Sequence, residues 1–237
     1  MSQVDFDLEG LARYLHVSPA QVQKLAERGA LPGRKISGQW RFSSAEVHHW
    51  LEARIGLAGE ADLLEVEGLL QSAATAAGKT PPRLLEMLPL EAIAIPLLAR
   101  TRNSVITAMV ELGAKSGWLW DVPKMTEAVR TRESLHPTAL DCGVALLHPR
   151  RPLPQVLAQP LLAMGRTLQG VPFGQSNGQL TDVFFLIASA DDAGHLQTLA
   201  RLSRLIGNFA FLPAIRAAAD AKQALQIVEK YENEIEL

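Results

Sequence analysis

Two of the six histidines in this chain stand where a fold can put an imidazole to use. His148 directly follows Val144-Ala145-Leu146-Leu147, an apolar run of strand character, and strand ends are where sheet proteins hold reactive groups. His195 comes after a second apolar run, ending near Ala188, and after the acidic turn Ala190-Asp191-Asp192-Ala193-Gly194. That order places His195 in the first turn of a helix, with Asp192 as the expected cap. The positive end of a helix disfavours an added proton, so His195 is expected to stay neutral. Three readings suit two such histidines. One is phosphoryl transfer, in which a neutral imidazole nitrogen attacks phosphorus while the second histidine and a cation steady the charge. A second is metal binding, but no third ligand is evident at suitable spacing, and no metal or cofactor is expected. The third is no chemistry at all.

A second group of residues is basic. Between Arg13 and Arg41 stand Arg13, Lys24, Arg28, Arg34, Lys35 and Arg41 against Glu27 alone, a local excess of +5 in a chain whose net charge is −2. Lys24 and Arg28 lie four apart on one helix face, and Gln21 lies three before Lys24 on the same face. Gln can pair with adenine edges, and Lys and Arg with phosphate or guanine. Arg34, Lys35 and Arg41 are placed to grip the flanking backbone. The competing reading is a solvated face of a small helical domain.

These residues need elements to hold them. Asp7 can cap a helix bearing Leu8, Leu11, Ala12 and Leu15; Ser18-Pro19 starts a second, over 19–28, that ends at Gly29. Ser37-Gly38 between two extended pieces reads as a hairpin or wing. A third helix follows Ser43-Ser44, with Glu46 in capping reach and Val47, Trp50 and Leu51 on one face. His48 and His49 on it are read as surface or packing residues. Helices are expected over 63–77 and 83–88. Beyond them helices over 103–115, 122–131, 195–206, 208–218 and 221–232 interleave with the apolar run Ile93-Ala94-Ile95-Pro96-Leu97 and with strands over 143–147 and 181–188. That alternation predicts a sheet covered by helices. One cysteine, Cys142, excludes an internal disulfide framework and suits a reducing cytoplasm. No apolar run is long enough to span a bilayer, and the acidic start MSQVDFDLEG lacks the features of a secretory signal, so a soluble cytoplasmic protein without membrane insertion is expected.

Against this background two resemblances stand out. Leu11-Ala12-Arg13-Tyr14-Leu15-His16-Val17-Ser18, Val22, Gly29-Ala30-Leu31-Pro32, Gly38-Gln39-Trp40-Arg41-Phe42 and Trp50-Leu51 resemble the excisionase and MerR-type winged helix-turn-helix family. The resemblance implies DNA binding, with the helix over 19–28 in the major groove. From about Leu88 to Leu225 the chain resembles the fructose/mannitol-type phosphotransferase system IIA domains, including the nitrogen-regulatory IIA proteins. The residues carrying it are Ala94-Ile95-Pro96, Lys115-Ser116-Gly117-Trp118-Leu119, Met125 to Glu133, Thr138, Gly143 to His148, Val171-Pro172-Phe173-Gly174 and His195 to Ala200. What it implies is a mixed sheet flanked by helices, phosphorylation of His148 by a histidine-containing phosphocarrier protein, and supporting roles for His195, Arg132 and Thr138. That is a phosphoryl carrier more than a turnover enzyme.

The departures fall around His148. The family's proline before the histidine is Leu147 here, and the glycine after it is Pro149, which has no N–H to offer a phosphoryl oxygen. Asp141 would oppose a phosphate unless it orients His148, Arg150 and Arg151 add positive charge, and Cys142 reads as a packed small residue. The resulting expectation has three parts: a winged helix-turn-helix domain over 1–56, a helical linker over 57–87 and a IIA-like α/β domain over 88–237. The function expected is a transcriptional regulator, working as a homodimer, that couples phosphotransferase state to gene expression. Two alternatives stay open: a IIA phosphoryl carrier whose head is an interaction module, and a non-phosphorylated IIA-like domain that binds an effector or partner.

Overall fold

The computed structural model describes residues 5–15, 18–43, 46–47, 50, 83–135, 137–174 and 178–235. The expected helix over 63–77, the pair His48 and His49, and most of the third helix of the head lie outside the described residues. The chain forms two compact units, 1–81 and 82–237.

In the first unit, β1 (Asp5–Phe6) leads into α1 (Leu8–Leu15) and α2 (Pro19–Glu27), followed by β2 (Arg34–Ile36) and β3 (Gln39–Ser43). Asp7 Oδ1 accepts the Gly10 amide at 2.6 Å and so caps α1. Ser18 caps α2 in a full capping box: its Oγ accepts the Gln21 amide at 3.2 Å, and Gln21 Oε1 accepts the Ser18 amide at 2.9 Å. Strands β2 and β3 form the expected wing, turning on Ser37 (φ 51°) and Gly38 (φ 80°). Strand β1, at two residues too short to show a periodicity in the sequence, pairs with β3 and puts Phe6 beside the fully buried Phe42. Val47 is buried, and Trp50 Nε1 donates to the Ala30 carbonyl at 2.6 Å, tying the start of the third helix to the turn after α2.

The second unit carries α3 (Leu84–Met87), β4 (Ile93–Ala94), α4 (Arg102–Ala114), α5 (Val122–Leu135), β5 (Ala139–Leu140), β6 (Val144–Leu147), β7 (Leu161–Pro172), β8 (Leu180–Ala188), α6 (Asp192–Gly207), α7 (Phe211–Ala217) and α8 (Ala221–Ile235). Its sheet has the order β4-β7-β8-β6-β5 and is mixed: β4 with β7 and β6 with β8 run parallel, β7 with β8 and β5 with β6 antiparallel. Successive side chains on a strand face opposite ways. Ala145 and Leu147 of β6 with Phe184, Leu186 and Ala188 of β8 therefore pack on the face covered by α4 and α5, in one core with Val105, Met109, Met125 and Val129. The alternate residues, Val144, Leu146, Val183, Phe185 and Ile187, are equally buried on the other face. Burial on both sides is why these strands read as unbroken apolar runs.

The longest strand among the described residues, β7, carries no strand signal in the sequence. Its residues Leu-Leu-Ala-Met-Gly-Arg-Thr-Leu-Gln-Gly-Val-Pro are mostly helix formers with two glycines, and neither alternation nor β-branching marks them. The sheet makes them a strand by pairing them on both sides, and Gly165 leaves room for Met109 and Leu97, whose atoms lie 2.7 and 2.9 Å from where a Cβ would stand.

A paired-histidine candidate site

Strands β6 and β8 are parallel neighbours, with Leu147 opposite Leu186, so their C-terminal ends open on the same side of the sheet. His148 leaves the end of β6, and His195 sits in the first turn of α6, which begins four residues after β8 ends. The two imidazoles meet with ring centroids 4.9 Å apart and planes tilted by 51°. Both are buried, at 2 % and 3 % exposure, which holds them in place and away from bulk water. His148 Nδ1 lies 2.8 Å from the Leu146 carbonyl oxygen. A carbonyl oxygen only accepts, so Nδ1 carries the proton, and the lone pair of a neutral ring belongs to Nε2. The cap of α6 is Asp191, not Asp192: Asp191 accepts the Gly194 amide at 2.8 Å, while Asp192 is the first helical residue.

Thr138 reaches this site through the backbone. It precedes β5, and its carbonyl accepts the Leu146 amide at 3.3 Å, so Leu146 is held by Thr138 and in turn holds His148. Thr138 itself is bound by Glu133, in the last turn of α5. The carboxylate accepts both the Thr138 hydroxyl and its amide, the latter at 3.2 Å. Arg102, at the start of α4, pairs with the other oxygen of Glu133 at 3.0 Å. Burial pushes the Glu133 carboxyl above its usual range, against the pull of Thr138 and Arg102. Arg132 is buried in the same last turn of α5, at 7 % exposure. Nothing local in the sequence marks Arg102, since its partner lies on another helix. Glu133 is marked in the sequence only by the adjacent Arg132 and the nearby Thr138.

The turn Asp141-Cys142-Gly143 before β6 lies away from His148, where the sequence placed Asp141 beside it. Asp141 and Cys142 lie in the turn between β5 and β6, at the N-terminal end of β6, with the whole strand between them and His148. Four extended residues span roughly 13 Å. Asp141 is thus too distant either to orient His148 or to crowd a group attached to it. Cys142 is half-buried, its thiol pushed up by burial, and its carbonyl accepts Arg216 Nη2 at 2.7 Å. Leu147, in place of a proline, is the last residue of β6 and is fully buried in the core. Pro149 is buried, and Arg150 and Arg151 are exposed beside it. Among the described residues, no group of three His, Cys, Asp or Glu side chains could hold a metal ion.

In the N-terminal unit Lys24 and Arg28 are exposed on α2 and its C-cap, and Arg34 and Lys35 are exposed on β2. Arg41 stands directly across from Arg34 on β3, and Lys35 Nζ lies 5.2 Å from the Trp40 ring centroid. Gln21 is exposed, but its Oε1 is taken up by the Ser18 cap. Among the described residues no helix is long and apolar enough to cross a membrane.

Residues 86–231 match the family described as phosphoenolpyruvate-dependent sugar phosphotransferase system, EIIA 2, and residues 6–55 match a helix-turn-helix domain. A nitrogen regulatory protein from Bradyrhizobium diazoefficiens is 31 % identical over 130 residues, covering 53 % of this chain and 83 % of that one. The fructose-specific EIIABC component of Bacillus subtilis is also 31 % identical, over 126 residues and 52 % of this chain, which spans only 19 % of its length. Two crystal structures share the fold: IIA-Ntr of Neisseria meningitidis (TM-score 0.54, 22 % identity, 61 % of this chain and 97 % of that one) and IIA mannitol of Escherichia coli (TM-score 0.52, 20 % identity, 59 % and 97 %).

Proposed function

This chain belongs to the phosphoenolpyruvate-dependent sugar phosphotransferase system EIIA 2 family and carries a helix-turn-helix domain ahead of it, and we propose that it is a DNA-binding transcriptional regulator controlled by phosphorylation of His148. The observation that carries this reading is the buried imidazole pair, with the lone pair assigned to His148 Nε2. In the proposed step that lone pair attacks the phosphorus of a phosphohistidine on a histidine-containing phosphocarrier protein. The donor's N–P bond breaks, and its electron pair returns to the donor ring. His195 and the Arg132 guanidinium steady the negative charge in transit. The product gains a charge of about −1.5 to −2, by analogy with other phosphorylated side chains, in a place closed to bulk water.

That change biases the protein between a DNA-bound and a released state. Lys24, Arg28, Arg34, Lys35 and Arg41 supply the phosphate contacts, with Gln21 on the same face of α2. The protein acts in the cytoplasm, as a homodimer on paired half-sites. The competing reading, an effector-binding domain without phosphoryl transfer, draws on Pro149, which removes a backbone donor next to His148. Exposure of the full chain to the phosphorylated phosphocarrier decides between them. The proposal expects an acid-labile phosphate on the wild type and none on His148→Ala, together with selective, salt-dependent DNA binding. A wild-type chain that takes no phosphate overturns it.

A further inference from the structure

We infer that Glu133, clamped by Arg102, is a positioning residue for His148: through Thr138 and Leu146 it fixes which ring nitrogen faces the phosphoryl donor. The inference rests on the acceptor reading above and names residues that reading does not use. Each link is a direct bond. Arg102 Nη2 donates to Glu133 Oε2 at 3.0 Å and to the Glu133 carbonyl, joining the start of α4 to the end of α5. Glu133 Oε1 takes the Thr138 hydroxyl and its amide, so the first residue of the β5 approach is held at two points. The Thr138 carbonyl takes the Leu146 amide, and the Leu146 carbonyl takes the proton of His148 Nδ1.

A carboxylate at 1 % exposure is a costly way to join a helix to a strand. A half-buried pair of this kind adds little stability relative to apolar packing, but it specifies position, because both partners have fixed geometry. Arg102 is held in turn, with its guanidinium carbon 5.7 Å from the centroid of the Phe173 ring. Without the carboxylate, Thr138 loses the acceptor for its hydroxyl and its amide. The β5 segment can then shift against β6. A small rotation of the Leu146 peptide releases Nδ1, both tautomers populate, and Nε2 no longer holds the lone pair in one direction.

The test uses the full chain labelled with 15N. Long-range 1H–15N spectra assign the His148 ring by its absence in His148→Ala, and single-turnover phosphorylation is measured on the same samples. The wild type should show the Nδ1–H tautomer. Glu133→Gln, which keeps size but must turn an NH2 toward either Arg102 or Thr138 in place of an accepting oxygen, should give a mixed tautomer signal. It should also slow phosphorylation on the order of 10- to 100-fold, as small misplacements of reacting groups do. Thr138→Val, which removes only the hydroxyl donor, should shift both readouts in the same direction by less, and it serves if Glu133→Gln does not fold. Arg102→Lys, which keeps the charge, should restore much of the wild-type behaviour relative to Arg102→Met. Folded Glu133 and Thr138 variants with an unchanged His148 spectrum overturn the inference. If the wild type takes no phosphate, the acceptor reading falls by itself, and the spectrum still decides whether Glu133 sets the tautomer.

Discussion

His148 and His195 hold their rings 4.9 Å apart from opposite halves of one arrangement, the end of β6 and the first turn of α6. What joins them is the parallel pairing of β6 with β8, which brings the C-terminal ends of both strands to the same side of the sheet. Two buried rings so close leave little room for motion, and the consequences can be measured.

His195→Ala should slow phosphorylation of His148 on the order of 100-fold without abolishing it, because the neighbour steadies charge and the acceptor itself remains. His148→Ala should abolish it. Single-turnover transfer from the phosphorylated phosphocarrier separates the two; equal rates for wild type and His195→Ala would remove His195 from the mechanism.

Gly143→Ala should lower stability by about 1–3 kcal/mol, because φ at that position is +83° and a Cβ would stand 2.8 Å from Arg216 Nη2. Displacing that nitrogen weakens its bonds to the Cys142 carbonyl and to Asp182. Since the turn lies at the far end of β6 from His148, urea unfolding should change much more than the phosphorylation rate of the folded protein.

Glu133 imposes a pH dependence with a definite sign. Its carboxyl is raised in the folded state above the ordinary 4.5, so the folded state holds its proton more tightly than the unfolded chain. The associated stability is fully present below pH 4.5 and is lost as pH rises through the raised folded value. Glu133→Gln should flatten that part of the curve of unfolding free energy against pH; an identical curve would contradict it.

Glu232, buried on α8, accepts the Leu84 amide at 2.5 Å and the Leu85 amide at 3.0 Å, and also meets Arg201 of α6 at 3.4 Å. Glu232→Ala strands the buried Leu84 amide and should cost about 1–3 kcal/mol. Hydrogen exchange should accelerate first at Leu84 and Leu85, the point where the chain enters the second unit.

Lys24→Ala and Arg28→Ala should each weaken DNA binding across sequences and reduce the dependence of log K on log salt by about 0.9 for each DNA phosphate no longer neutralised. Gln21→Ala should lower the stability of α2 as well, since Gln21 completes the Ser18 capping box. Titrations at several salt concentrations check the first expectation and thermal unfolding the second; an unchanged slope for Lys24→Ala would take that residue off the DNA surface.

Much of this protein was legible one segment at a time. The Ser18 cap, the Ser37-Gly38 wing turn and the strands ending in Leu147 and Ala188 follow from short-range chemistry: a side-chain oxygen within reach of an amide, backbone that tolerates positive φ, and apolar runs that need two buried faces. His148 and His195 were visible as residues at the ends of such segments. What the sequence by itself determined was therefore the local pieces, the basic face of the head and the two histidines as candidates. Tertiary structure alone decided that β6 and β8 are parallel neighbours, that β7 is a strand in spite of its helix-forming residues, that Asp141 lies a strand's length from His148, and that Arg102 clamps Glu133. Each of these depends on partners distant in the chain. Neither strand order nor an ion pair between two helices leaves a local periodicity, because both are set by packing that only the folded sheet and its helices supply.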